Sequence, residues 1–123
     1  MNWWMLAGGL SALVCTAGHA LAGVGMFYRP IRAAIADHLQ AGVFTGMWHL
    51  ITINFALSAI ALLVFGVNGL GREVAWLVTA QFAGYAAVYL VLSLRLGGLL
   101  RLFQWLPFGL TAILAAIGAQ MAH

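Results

Sequence analysis

From Met1 to Tyr28 the chain carries no Asp, Glu, Lys or Arg, and the same holds from His38 to Gly71, from Val74 to Leu94 and from Leu102 to His123. A helix needs about 20 mostly apolar residues to cross the hydrocarbon core of a bilayer, so each run can cross once. The composition agrees: 65% of the residues are hydrophobic and 6% charged, against roughly 25% charged in soluble proteins. A soluble core of this size cannot use so much apolar surface, which makes the lipid bilayer the solvent and first partner.

The pattern predicts an all-α fold, an integral membrane four-helix transmembrane bundle in a single domain over residues 1–123, with helices over about 3–27, 42–65, 73–94 and 102–121. Arg29-Pro30 is expected to end the first helix, because a proline disfavours helix at the residue before it. Residues 33–41 suggest a short interfacial helix, and the glycine-rich run from Gly66 to Gly71 reads as a tight turn. Pro107 falls in the first turns of the last helix, where a missing N–H costs little. Short connections favour sequential antiparallel neighbours in up-down order.

The charges are five arginines with Asp37 and Glu73. Arg29 and Arg32 lie in the first connection, Arg95 and Arg101 in the third, and the second has Arg72 beside Glu73. Scattered at segment ends, they are topology signals rather than a nucleic-acid footprint. They place the first and third connections in the cytoplasm and both termini outside, as in a bacterial inner membrane with periplasmic termini. The start, Met1-Asn2-Trp3-Trp4, lacks the basic residues of a secretory signal. One cysteine, Cys15, excludes an internal disulfide and a multi-cysteine metal site.

Well inside these apolar runs, rather than at their ends, stand two histidines, His19 and His49. Ionisable side chains at membrane depth are scarce and are functional candidates by default. His19 lies nine residues before Tyr28 and His49 seven after Gly42, about 13 Å and 10 Å from one boundary at 1.5 Å per residue. On antiparallel helices the two rings come to one level. Their helical neighbours are small: Ala12, Cys15, Thr16, Ala22 and Gly23 around His19; Gly42, Thr45, Gly46 and Thr52 around His49. Small residues let membrane helices pack closely, or leave room for a flat cofactor.

The pair leads to the expectation of bis-imidazole ligation of haem b between the first two helices, since imidazole is a standard axial ligand and bundle cores build cofactor sites from facing helices. Thr16, Thr52, Tyr89 and Gln104 are expected to orient the imidazoles or to meet propionates. Cys15 with His19 and His49 offers the alternative of a transition-metal site. Tyr85 and Tyr89 suit a place beside a quinone or a proton relay, although such residues more often pack against and bond a neighbouring helix; Gln81 lies on their face, and Asn54 points toward another helix. The trytophans, Trp48 among them, are explained by an aromatic belt. No carboxylate or basic residue falls in mid-membrane, which disfavours a proton-coupled exporter, and no nucleophile stands with a base and an orienting group.

His19 followed by Gly25-Met26-Phe27-Tyr28-Arg29-Pro30 resembles the first-helix pattern of the small haem-binding membrane protoporphyrinogen oxidases, in which a histidine precedes a Gly-x-Phe-Tyr-x-Pro stretch. The resemblance implies haem. It is confined to this stretch, and the lysine-bearing third helix of that family has no counterpart.

The function expected from the sequence is a small membrane haem-b redox or electron-transfer protein, with a membrane oxidoreductase as the enzyme class it would fit. The alternative is a non-catalytic accessory subunit packed against a larger membrane complex or in a homo-oligomer. A small metal or small-molecule permease is the third class. The arginine distribution makes one direct prediction: a reporter fused to the C-terminus should be active only when it works outside the cytoplasm. Activity of a cytoplasm-only reporter at that position would reverse the orientation.

Overall fold

The computed structural model describes residues 1–122, and among them there is no strand. The first helix, α1, spans Trp3–Ala17. Asn2 starts it as an N-cap, its side-chain oxygen accepting from the Met5 N–H at 3.1 Å, which satisfies one of the four free donors at a helix start. Asn2 also donates its backbone N–H to Gly66 O and its side-chain amide to Gly118 O, both at 2.7 Å. One buried residue thereby ties the beginning of α1 to the ends of two other helices.

Past Ala17 the chain stays helical but widens. Gly18–Ala22 and Val24–Tyr28 are π-helical, and α2 follows directly over Arg29–Ala34. The expectation that Arg29-Pro30 ends the first helix is therefore corrected: Tyr28 remains right-handed at φ −60°, ψ −54°. Pro30 is the second residue of α2, where a new α-helical hydrogen-bond register begins and a missing N–H costs little.

The break comes later, at Ile35–Asp37. Ile35 is extended, and the Asp37 side chain caps the next helix by accepting from the Gln40 N–H at 2.8 Å. That helix, α3, covers His38–Asn68. The interfacial helix expected over 33–41 is divided between the end of α2 and the start of α3. Gly69 and Gly71, at φ +70° and +81°, make the turn into α4, Arg72–Arg95. Such left-handed φ values favour glycine.

The connection 96–104 is organised by Ser93. Its hydroxyl sits 2.6 Å from Gly98 O and 2.8 Å from Leu99 O and accepts from the Leu102 N–H at 3.1 Å. The Trp105 indole N–H donates to Leu99 O at 2.7 Å. The last helix, α5, runs over Trp105–Met121.

Three helical stretches are long and apolar enough to cross a membrane: Trp3–Ala22, His38–Asn68 and Arg72–Arg95. The fourth apolar helix, Trp105–Met121, is shorter at 17 residues. Their large apolar side chains face outward, Leu13, Val14, Leu57, Leu77 and Ile113 among them, as lipid contact requires.

Helix α1 packs between α3 and α5, and α4 packs on α5; the consecutive helices α3 and α4 barely touch. The closest approach is between α1 and α5. A Cβ at Gly118 would lie 2.5 Å from Met5 Cγ and 2.9 Å from Met5 N. Met5, Leu62 and Phe82 are the largest apolar side chains wholly buried among the described residues.

Gly118→Ala should therefore force backbones apart and destabilise by about 1–3 kcal/mol. Gly84→Ala meets nothing within 4 Å and should be neutral. Thermal unfolding of both variants in one detergent checks the contrast, and equal melting temperatures would contradict it.

Candidate functional site

The weak α3–α4 seam has a consequence on the side of the molecule away from Asn2. There the helices border a half-open cavity of about 670 Å³ whose lining comes from the α1 segment with its π-helical continuation, from α3, from α4 and from α5. Ligand sites in proteins are commonly about 300–1,000 Å³ and largely apolar with a few polar groups. Four rings close the inner end. Phe55, Phe82, Tyr85 and Phe108 have centroids 5.3–5.9 Å apart in tilted and edge-on pairs, the arrangement aromatic quadrupoles favour.

His19 lines this cavity. It stands in the first π-helical segment; such insertions recur at functional sites because they re-aim a side chain. Its Nε2 lies 3.2 Å from Trp48 O, and its ring stacks on the Trp48 indole at 4.0 Å and 21°. A carbonyl oxygen only accepts, so Nε2 carries the hydrogen and donates it. In the neutral ring Nδ1 then holds the lone pair. The same Trp48 carbonyl accepts from the Thr52 hydroxyl at 3.1 Å.

His49 reaches the same level but not the same space. It is exposed, lies outside the cavity lining and has no hydrogen-bond partner among the described residues. The nearest ring is Tyr28, 6.3 Å away. Helix geometry explains the difference. The stripe of α3 turned toward α1 and the cavity is Phe44, Trp48, Ile51 and Phe55, and one residue beyond Trp48 is a rotation of about 100°. The expectation that His19 and His49 face each other is corrected: Trp48 takes the place opposite His19.

The other expected site residues divide. Tyr89 and Gln104 line the cavity. Tyr89 packs its ring 5.6 Å from Phe108. The Gln104 side-chain oxygen is sealed from solvent without a hydrogen-bond partner. Thr16 donates to Ala12 O at 2.8 Å within its own helix, as Thr52 does to Trp48. Cys15 lines the cavity as a buried thiol, its Sγ 3.9 Å from the Thr111 hydroxyl. Among the described residues no three His, Cys, Asp or Glu side chains converge as metal ligands, so Cys15, His19 and His49 do not form the three-ligand set considered from sequence.

Two features were not assembled by sequence reasoning. One is the role of Trp48, assigned there to an aromatic belt; its spacing of four, three and seven from Phe44, Ile51 and Phe55 was the available signal. The other is a polar network joining α3 to α4. Asn54 Oδ1 accepts from the Gln81 amide and from the Tyr85 hydroxyl, the latter at 3.0 Å. The Gln81 amide also reaches Ser58 Oγ at 3.0 Å, and Ser58 donates to Asn54 O at 2.9 Å. The shared face of Gln81 and Tyr85, and an Asn54 aimed at another helix, were legible separately.

No family model, curated protein or solved structure matches this chain.

The network crosses a seam whose other contact is Phe55 against Phe82 and Tyr85. Asn54→Leu should remove two interhelical bonds and destabilise by about 1–2 kcal/mol, near the upper end for such bonds in membranes. Unfolding in a mild detergent measures it. A variant as stable as the parent would remove the network from the account of how α3 meets α4.

Proposed function

We propose that the chain is an integral membrane four-helix protein that binds a flat, ring-bearing redox lipid of the quinone class in this cavity. The carrying observation is the space itself: about 670 Å³, walled by aromatic rings, and bordered by the imidazole of His19 in a π-helical segment. Aromatic walls suit a planar ring. His19, Tyr89 and Gln104 supply the few polar atoms that fix its orientation.

In this reading α5, with the turn before it, makes a fourth crossing. Arg29, Arg32, Arg95 and Arg101 face the cytoplasm and both termini the periplasm of a bacterial inner membrane. A quinone-class ring is favoured over haem b by two facts of geometry. His49 lies outside the cavity, and His19 Nε2 is engaged by the Trp48 carbonyl.

A second reading has its own observation. The outward side of α3 carries Gly42, Gly46 and the exposed His49, and an added Cβ at either glycine meets nothing within 4 Å. An accessory subunit that seats this face on a partner helix would cover an otherwise unpaired imidazole.

Purified protein should show no Soret band, and solvent extraction should release a quinone-type lipid in stoichiometric amount. A Soret band lost in both His19→Ala and His49→Ala would replace the proposal with the haem reading. A colourless, lipid-free protein recovered in fixed ratio with a large partner would favour the subunit reading.

A further inference from the structure

The cavity's polar atoms are divided between two walls. His19 is on the α1 side, and its Nε2 hydrogen is committed to Trp48 O, so the neutral ring has only an acceptor, Nδ1, left to offer. Tyr89 and Gln104 are on the α4 and α5 side. Neither the Tyr89 hydroxyl nor the Gln104 amide nitrogen has a hydrogen-bond partner among the described residues, and the Gln104 carbonyl is sealed away from solvent. That wall therefore offers donors.

The two walls stand at one level. The Ser11–Thr111 hydroxyl contact of 2.7 Å sets the register between α1 and α5. Seven residues further toward the 96–104 connection on each helix, Gly18 comes opposite Gln104, with His19 next in the chain. Tyr89 packs on Phe108, one turn from Gln104. Beyond this level the lining is apolar, continuing through Met26, Phe27, Ile31 and Phe103.

An acceptor on one wall and donors on the other, across a slot walled by rings, match a planar molecule with oxygens on opposite edges. We infer that the site is selective for the hydroquinone form of such a lipid. One ring hydroxyl donates to His19 Nδ1, the opposite oxygen accepts from Tyr89 and Gln104, and the apolar tail follows Met26 and Phe27 outward. The oxidised form has no proton for His19, and an acyl chain leaves both walls unpaired. The inference rests on the cavity being the binding site.

The test is equilibrium binding to the full chain in nanodiscs with three probes of one ring and tail: the hydroquinone, its dimethyl ether and the quinone. The hydroquinone should bind about tenfold more tightly than either of the others, the worth of one hydrogen bond to an otherwise unpaired group. His19→Leu should bring the hydroquinone-to-ether ratio close to one. Tyr89→Phe, which keeps the ring, should weaken all three probes severalfold and leave the ratio intact. Equal binding of hydroquinone and ether by the parent would overturn the selectivity and leave the cavity reading standing. A ratio that persists in His19→Leu would overturn the role of His19, and an unchanged Tyr89→Phe that of the opposite wall. Failure of all three probes to bind would remove the proposed function itself.

Discussion

The packing depends on how closely α1 is held to its neighbours at the Asn2 end. Gly118 leaves no space for a side chain against Met5, and Gly66 lets Leu6 approach until an added Cβ would lie 3.1 Å from its backbone nitrogen. In lipid, apolar burial gives little net drive for helices to associate, so close van der Waals packing and hydrogen bonds between helices decide the arrangement. Asn2 supplies both kinds of constraint. Its amide and backbone N–H reach carbonyls near the ends of α5 and α3, where a helix leaves acceptors short of partners. Three helix ends are thereby fixed at one point, and α4 joins through α5.

That asymmetry creates the cavity. Helices held together at one end and packed mainly through α1 and α5 leave the α3–α4 seam weak. The Asn54, Gln81, Tyr85 and Ser58 network crosses the seam on the inner side of the aromatic floor. It limits how far α3 and α4 separate without filling the space beyond it. On the α1 side the π-helical turns carry His19 out of a regular α-helical register and onto Trp48. The Trp48 carbonyl then fixes which imidazole nitrogen is protonated. A backbone atom of α3 thus sets the chemistry that a residue of α1 presents to the cavity.

Much of this was legible in the residues. The bounds of α4 follow from charge at both ends, and the Gly69–Gly71 turn from glycine placement. The level of the two histidines follows from counting, and the structure does bring His19 beside the Trp48–His49 step. Rotation about the helix axis was not legible to the same accuracy. The small neighbours of His49 suggested a packed face, whereas the bulky stripe through Trp48 is the one that packs, because rings reach across the gap between α1 and α3. Nor does sequence reveal a π-helical register, in which Arg29-Pro30 begins a turn instead of ending a helix. The cap by Asn2 and its two distant carbonyl partners emerge only in the structure, the latter because they depend on tertiary approach.

The remaining question is what occupies a cavity of this kind in a bilayer, since three candidates compete for it. Water satisfies His19, Tyr89 and Gln104 but must stand against Phe44, Phe55 and Phe108, which offer it no hydrogen bonds; ordered water needs two to four polar partners. A lipid chain suits the rings and leaves the polar atoms unpaired, at about 1–3 kcal/mol for each buried group. The proposed planar ring with polar edges would meet both kinds of wall at once. In that reading the aromatic walls would exclude water from the hydrogen bonds at its edges, and low local polarity would strengthen them. Apolar walls and opposed polar groups therefore act together, and neither alone would select a ligand from the membrane.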